Sequence, residues 1–190
     1  MSARKAGVVV LAIQVALVIS IGAKYAWERH HCPMVWTRAN QWDLEEPIRG
    51  RYVGLTLHAS ACGLPGQLTY GPLPPAHVSQ GGWVEEWQNG KVLMWRVVPA
   101  VRDGRLTAKV VDETKPGPTQ TLSLPQGDPC EYAWFDGHSE FFIPEHAKSP
   151  FPLQKGQELW ALVTVPPSGP VRPVKLAVSD SSGFHILNLD

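Results

Sequence analysis

His30, His31 and Cys32 form the densest run of metal-capable side chains in the chain. Adjacent residues rarely converge on one ion, and structural zinc sites prefer ligands about two to five residues apart, so the trio reads as a solvated cluster. His138 and His146 flank "EFFIPE" and read as surface loop residues. Ser60 and Lys91 can be cast as nucleophile and base of a membrane-tethered hydrolase of the signal-peptidase sort. The Ser-Met-x-Pro context of such enzymes is missing, however, and Ser60 follows a strand rather than a membrane helix. HExxH, GxSxG and Walker-type glycine loops are all absent from the sequence. Neither a metal nor a cofactor is expected, and no catalytic residue is assigned.

The cysteines number 3, an odd count. In an oxidising compartment Cys62 and Cys130 are the preferred pair, because each lies beside turn residues in "ACGLPG" and "GDPCEY", leaving Cys32 near the N-terminal segment. The other two pairings, and three free thiols, stay open. Cys32 is not a lipid-attachment site, since "RHHC" lacks the small and apolar residues such a site needs.

Positioning these groups falls to a β-rich chain. Composition gives 18 prolines and 17 glycines spread between short apolar runs, which disfavours long helices and favours turns. Tyr52 to Leu57, with Leu55 and Leu57 on one face and Thr56 between them, predicts a strand, and "KVLMWRVVPAV" and "RLTAKVV" predict two more around Asp103-Gly104, a hairpin signal. "ELWALVTV", "RPVKLAV" and "FHILNL" predict an antiparallel meander at the C-terminal end. Pro99 and Pro173 mark strand edges or ends. One short helix is allowed in "GGWVEEWQNG", where Trp83 and Trp87 sit between glycine stops. Many strands in a chain of 190 residues predict an antiparallel barrel or sandwich.

The N-terminal run Ala6–Ala23 has Gln14 as its only strongly polar member and is long enough to span a hydrocarbon core. Arg4 and Lys5 precede it, and the positive-inside tendency puts the N-terminus in the cytoplasm, although Lys24 and Arg29 weaken the bias. Tyr25 and Trp27 suit an interfacial anchor. A cleaved signal peptide is the alternative, because Ser20, Gly22, Ala23 and Ala26 offer small residues to a peptidase. Residues 1–27 are thus a cytoplasmic stub and anchor, or a signal peptide. Residues 28–190 are then an extracytoplasmic, in a bacterium periplasmic, β-rich domain. Lys and Arg total 17, equal to Asp and Glu, so no basic footprint for nucleic acid exists.

The segment "WDLEEPIRGRYVGLTL" resembles the signature of the GDYXXLXY family of bacterial membrane-anchored proteins. Gly50, Tyr52 and Leu55 fall on that signature's Gly, Tyr and first Leu, Arg49 on the Arg that often precedes them, and Asp43 on the upstream Asp. Arg51 departs from the family's Asp, and Leu57 from its final Tyr. "SEFFIPEHA", through Phe142, Ile143, Pro144 and Glu145, is similar to the family's aromatic-Val-Pro-Glu segment. "VKLAVSDSSGFHIL" resembles its last hairpin. The resemblance implies a single-pass inner-membrane protein with an extracytoplasmic β domain, working beside a multi-spanning membrane protein. It implies no catalytic residue, and Arg51 removes any role that needed a carboxylate there.

Physically, Gly50 suits a turn of positive φ before a strand. Tyr52, Leu55 and Leu57 read as core or sheet-surface residues, with Arg49 tying the turn to Asp43, Glu45 or Glu145. As function, Arg49, Gly50, Tyr52, Leu55 and Glu145 are candidate binding residues, with Arg49 and Glu145 in a ligand site. Charged turn pairs are far commoner than sites. The 8 tryptophans exceed what such a core demands. Trp95 and Trp160, inside strands, read as core, and Trp83 and Trp87 as candidates for an exposed groove. An accessory module that binds a membrane partner or an envelope ligand is therefore expected, with a Ser/Lys envelope hydrolase as the alternative.

Overall fold

The computed structural model describes residues 3–42, 52–64, 69–72, 91–111, 117–125, 127–144 and 151–189. The chain divides into two compact units, Met1–Pro33 and Met34–Asp190. The boundary falls beyond the 27/28 division read from the apolar run, because the polar turn that follows the run stays helical: α1 spans Ala3–His31. Its stretch Gly7–His31 has a mean hydropathy of 2.1 in its most apolar window, none of which is buried. At 1.5 Å per residue that stretch covers roughly 37 Å, enough for a hydrocarbon core of about 30 Å. A signal sequence passes the same test.

The second unit is mainly β. Its described strands are β1 Met34–Trp42, β2 Tyr52–Ala59, β3 Thr69–Pro72, β4 Lys91–Arg102, β5 Arg105–Val110 and β6 Gln120–Pro125. A 3₁₀ turn, Cys130–Tyr132, leads to β7 Ala133–Phe135, β8 Ser139–Phe142, β9 Glu158–Thr164, β10 Arg172–Asp180 and β11 Gly183–Ile186. Every ladder between named strands is antiparallel, and the path runs β11-β10-β9-β1-β2-β7-β6-β4-β3, with β5 on β4 and β8 on β2. The C-terminal meander β9-β10-β11 follows the expected order.

Strand β2 is the junction. One edge carries β1, from Gly54 to Leu57. Its other edge carries β8 over Tyr52–Leu55 and then β7 at His58 and Ala59. Between those two strands the chain turns at Asp136-Gly137, where Gly137 has φ 96°, and β7 swings away to pair with β6. From β6 the ladder passes to β4 and β5, and β5 returns to β2. Ser60 and Thr107 form a parallel bridge there, with the Ser60 N–H donating to the Leu106 carbonyl at 2.9 Å. The Thr107 hydroxyl donates back to the Ser60 carbonyl at 2.9 Å. The ring β2-β7-β6-β4-β5 is therefore closed, which leaves few open edges on that side.

Alternation explains the core. In β2 the side chains of Val53, Leu55, Leu57 and Ala59 are buried while those of Thr56 and His58 are partly exposed, the period of two that a half-buried strand requires. Leu122, Val97, Leu106 and Phe135 line the ring, and Val35, Ala161, Val163 and Leu176 continue the same core beneath β1, β9 and β10.

Pro99 lies well inside β4 yet still behaves as an edge residue. The Val111 N–H donates to the Arg96 carbonyl at 3.0 Å, so by alternation Val98, Ala100 and Arg102 aim their backbone at β5 and Pro99 aims away from it. On that side β6 ends with Gln120 opposite Val97. The missing N–H at Pro99 removes no ladder bond among the described residues. Pro173 stands at the start of β10, next to a bulge between Pro173 and Lys175. Asp103 and Gly104, with φ 51° and 71°, form the two-residue hairpin turn between β4 and β5, both in the left-handed region. The "GGWVEEWQNG" segment lies outside the described residues.

Candidate functional site

The outer face of the sheet, opposite the core, carries a cross-strand row of large polar and aromatic side chains. Trp160 of β9 stands opposite Arg38 of β1. Continuing the β1-β2 register one step beyond Ala39 and Leu57 places His58 on the far side of Arg38, and Trp134 of β7 stands opposite His58. Neighbouring strands are about 4.8 Å apart, so these four side chains pack shoulder to shoulder. None is fully buried, because the intervening residues Ala39, Leu57, Leu159 and Ala161 take the inward positions.

Tyr132 closes the row from above. The 3₁₀ turn that carries it is fixed by the disulfide between Cys62 and Cys130 and by the Ala61 N–H, which donates to the Cys130 carbonyl at 2.8 Å. The Arg38 Nη1 donates to the Tyr132 hydroxyl at 2.7 Å, and Nη2 lies 3.3 Å from the Glu158 Oε1. The guanidinium carbon sits 5.2 Å from the Tyr132 ring centroid and 5.7 Å from that of Trp160. With both partners well solvated, the ion pair adds little stability; its effect is to orient a planar donor group between two rings. Phe184 packs edge-on against Trp160 at 6.0 Å and against Trp36 at 5.0 Å, extending the aromatic surface along β1 and β11.

His58 Nδ1 lies 3.3 Å from the Tyr132 carbonyl. A carbonyl only accepts, so the proton resides on Nδ1 and Nε2 is left as an acceptor. Burial pushes the imidazole below its ordinary 6.5; the bond to Tyr132 opposes that shift and the Arg38 charge adds to it. The ring is thus neutral near pH 7. Arg38, His58, Tyr132 and Glu158, with Asn40 and Leu153, border a cleft of about 370 Å³ beside the aromatic row.

The residues singled out from the sequence divide differently. Leu55 is fully buried, and Tyr52 packs edge-on at 5.4 Å against Phe142, its cross-strand partner, so both hold the sheet together. Arg49, Gly50, Glu145, His146, Trp83 and Trp87 lie outside the described residues. Ser60 uses its hydroxyl to accept the Cys62 N–H at 3.3 Å. His31 stacks on Trp27 at 5.0 Å and bonds its carbonyl through Nδ1 at 2.9 Å, an ordinary helix-end contact. Cys32 is a free, buried thiol. Glu131 brings a carboxylate close to Cys62 and Cys130, but both sulfurs are consumed in the disulfide and are not metal ligands. Trp95 is buried, as a core residue should be. Trp160 is not: β9 alternates Leu159, Ala161 and Val163 inward and so turns Trp160 onto the outer face. Arg38, His58, Tyr132 and Glu158 escape a reading by spacing because they come from four separate elements. The only local signal for His58 is its outward place in "GLTLHA".

No protein-family model, curated protein or solved structure matches the chain.

Proposed function

We propose that the chain is a single-pass, membrane-tethered binding module of the GDYXXLXY type, with its β unit outside the cytoplasm and its outer-face cleft as the binding surface. The observation that carries this reading is the Cys62–Cys130 disulfide in a β unit that follows an apolar helix. Disulfides persist in oxidising compartments, and an exported domain tethered by such a helix occupies one. The side chains at the cleft support binding rather than chemistry. Arg38 is already engaged by Glu158 and Tyr132; Ser60, which does not line the cleft, accepts a backbone N–H. Arg4 and Lys5, in the first turn of the helix and before its apolar run, favour a cytoplasmic N-terminus.

Thiol trapping in intact cells tests the assignment. Alkylation before lysis, followed by reduction and a mass-tagged maleimide, is expected to add tags at Cys62 and Cys130 only after reductant. A reporter fused after Asp190 is expected to be active outside the cytoplasm, and the protein to resist carbonate extraction. Free Cys62 and Cys130 together with a reporter active only in the cytoplasm overturns the proposal. Release by carbonate replaces the anchor with a cleaved signal peptide.

A further inference from the structure

The cleft itself indicates what it binds; this inference rests on reading the domain as a binding module and deepens it. We infer that the cleft bordered by Arg38, Asn40, Gln41, His58, Tyr132 and Glu158 is a site for a neutral sugar ring, as found in an uncharged glycan. Three features of the site converge on that chemistry.

Size comes first, since about 370 Å³ is at the small end of ligand clefts and accommodates one or two sugar rings rather than a large cofactor. Charge comes second. Among the described residues the cleft is lined by one cation and one anion, and they already face each other at 3.3 Å. With the two charges paired the cleft carries no net charge and gives neither an anion nor a cation a net attraction, so an uncharged ligand is the better match.

Third, the lining holds both hydrogen-bond donors and acceptors. Asn40 offers an amide, Glu158 a carboxylate, Arg38 a guanidinium and His58 its Nε2 acceptor. Covering them with a purely apolar ligand would strand these groups, whereas a ring of hydroxyls gives each a partner. Tyr132, 42% exposed, supplies an aromatic wall, over part of which the Arg38 guanidinium lies. The electron-rich face of such a ring attracts the C–H face of a sugar while the hydroxyl edge turns to the polar groups.

The test uses the full chain in a detergent without sugar headgroups, titrated separately with maltotriose, cellotriose and chitotriose while tryptophan fluorescence and saturation-transfer NMR are followed. A saturable response to at least one of them, with a dissociation constant of about 1 mM or tighter, is expected. Tyr132→Ala is expected to weaken it about ten-fold or more and Asn40→Ala about three-fold, with Tyr132→Phe closer to the parent. If Tyr132→Ala fails to fold, as read by its melting curve, Asn40→Ala decides, because Asn40 is exposed and outside the core. Absence of any saturable response up to about 10 mM overturns the inference. So does tighter, salt-sensitive binding of trigalacturonate, which assigns the cleft to anions, or unchanged affinity in both folded variants. Thiol trapping reads the location of the domain independently, so a tethered, oxidised chain that ignores these sugars loses only this inference.

Discussion

Replacing both Cys62 and Cys130 with serine opens the bond that pins the 3₁₀ turn to the end of β2. The bond closes a sequence separation of 68 residues. In the chain-entropy description, a closed loop of that length removes enough freedom from the unfolded chain to stabilise the fold by about 4 kcal/mol. Both cysteines are only half-buried, so serine adds little desolvation cost of its own. The native contacts around the bond survive its loss: the Ala61 N–H still reaches the Cys130 carbonyl, and His58 and Ala59 still pair with Trp134 and Ala133. The effect therefore belongs mainly to the unfolded state, and at about 2–4 °C per kcal/mol for a domain of this size the midpoint drops by roughly 8–16 °C. Urea unfolding of the parent with and without a phosphine reductant, beside the double-serine variant, measures it. The reduced parent and the variant should agree with each other and differ from the oxidised parent. A difference below about 1 kcal/mol refutes the reasoning, since a loop of this span then constrains nothing that the unfolded chain does not already hold.

Leu55→Ala leaves a cavity at a fully buried position, and a loss of about 2–5 kcal/mol in chemical unfolding is expected. A loss under about 1 kcal/mol would mean that the core closes over the deleted atoms and that Leu55 does not anchor β2. The pH dependence of stability should carry the mark of His58. Its folded-state value lies below 6.5, so the unfolded chain binds the proton more tightly. The stability it contributes is complete above about 6.5 and declines as pH falls from there towards the folded-state value. His58→Gln, which keeps a donor for the Tyr132 carbonyl, should flatten that part of the profile, and an unaltered slope would assign the titration to another group.

The chain declares its local structure openly. Ala6–Ala23 is apolar on every side, so no globular packing is needed to predict α1. Period-two alternation marks β2, β4, β5 and the β9-β10-β11 meander, and Asp103-Gly104 specifies the turn between β4 and β5, because each depends on residues close together in the chain. Strand β1 is less visible: "MVWTRANQW" turns Thr37 inward and Trp36 and Arg38 outward, inverting the usual pattern of polar and apolar faces. Its inward Thr37 is accommodated because the hydroxyl donates to the His58 carbonyl at 2.5 Å. That bond exists only once β1 lies between β9 and β2. The same holds for the cleft. Sequence assigns a residue to a face of its strand, but which residue stands beside it is set by register between distant strands, and register is chosen by burying the whole core at once. Arg38 meets Trp160, His58 and Tyr132 for that reason, and the Ser60–Thr107 bridge, which completes the ring beneath them, arises from the same long-range closure.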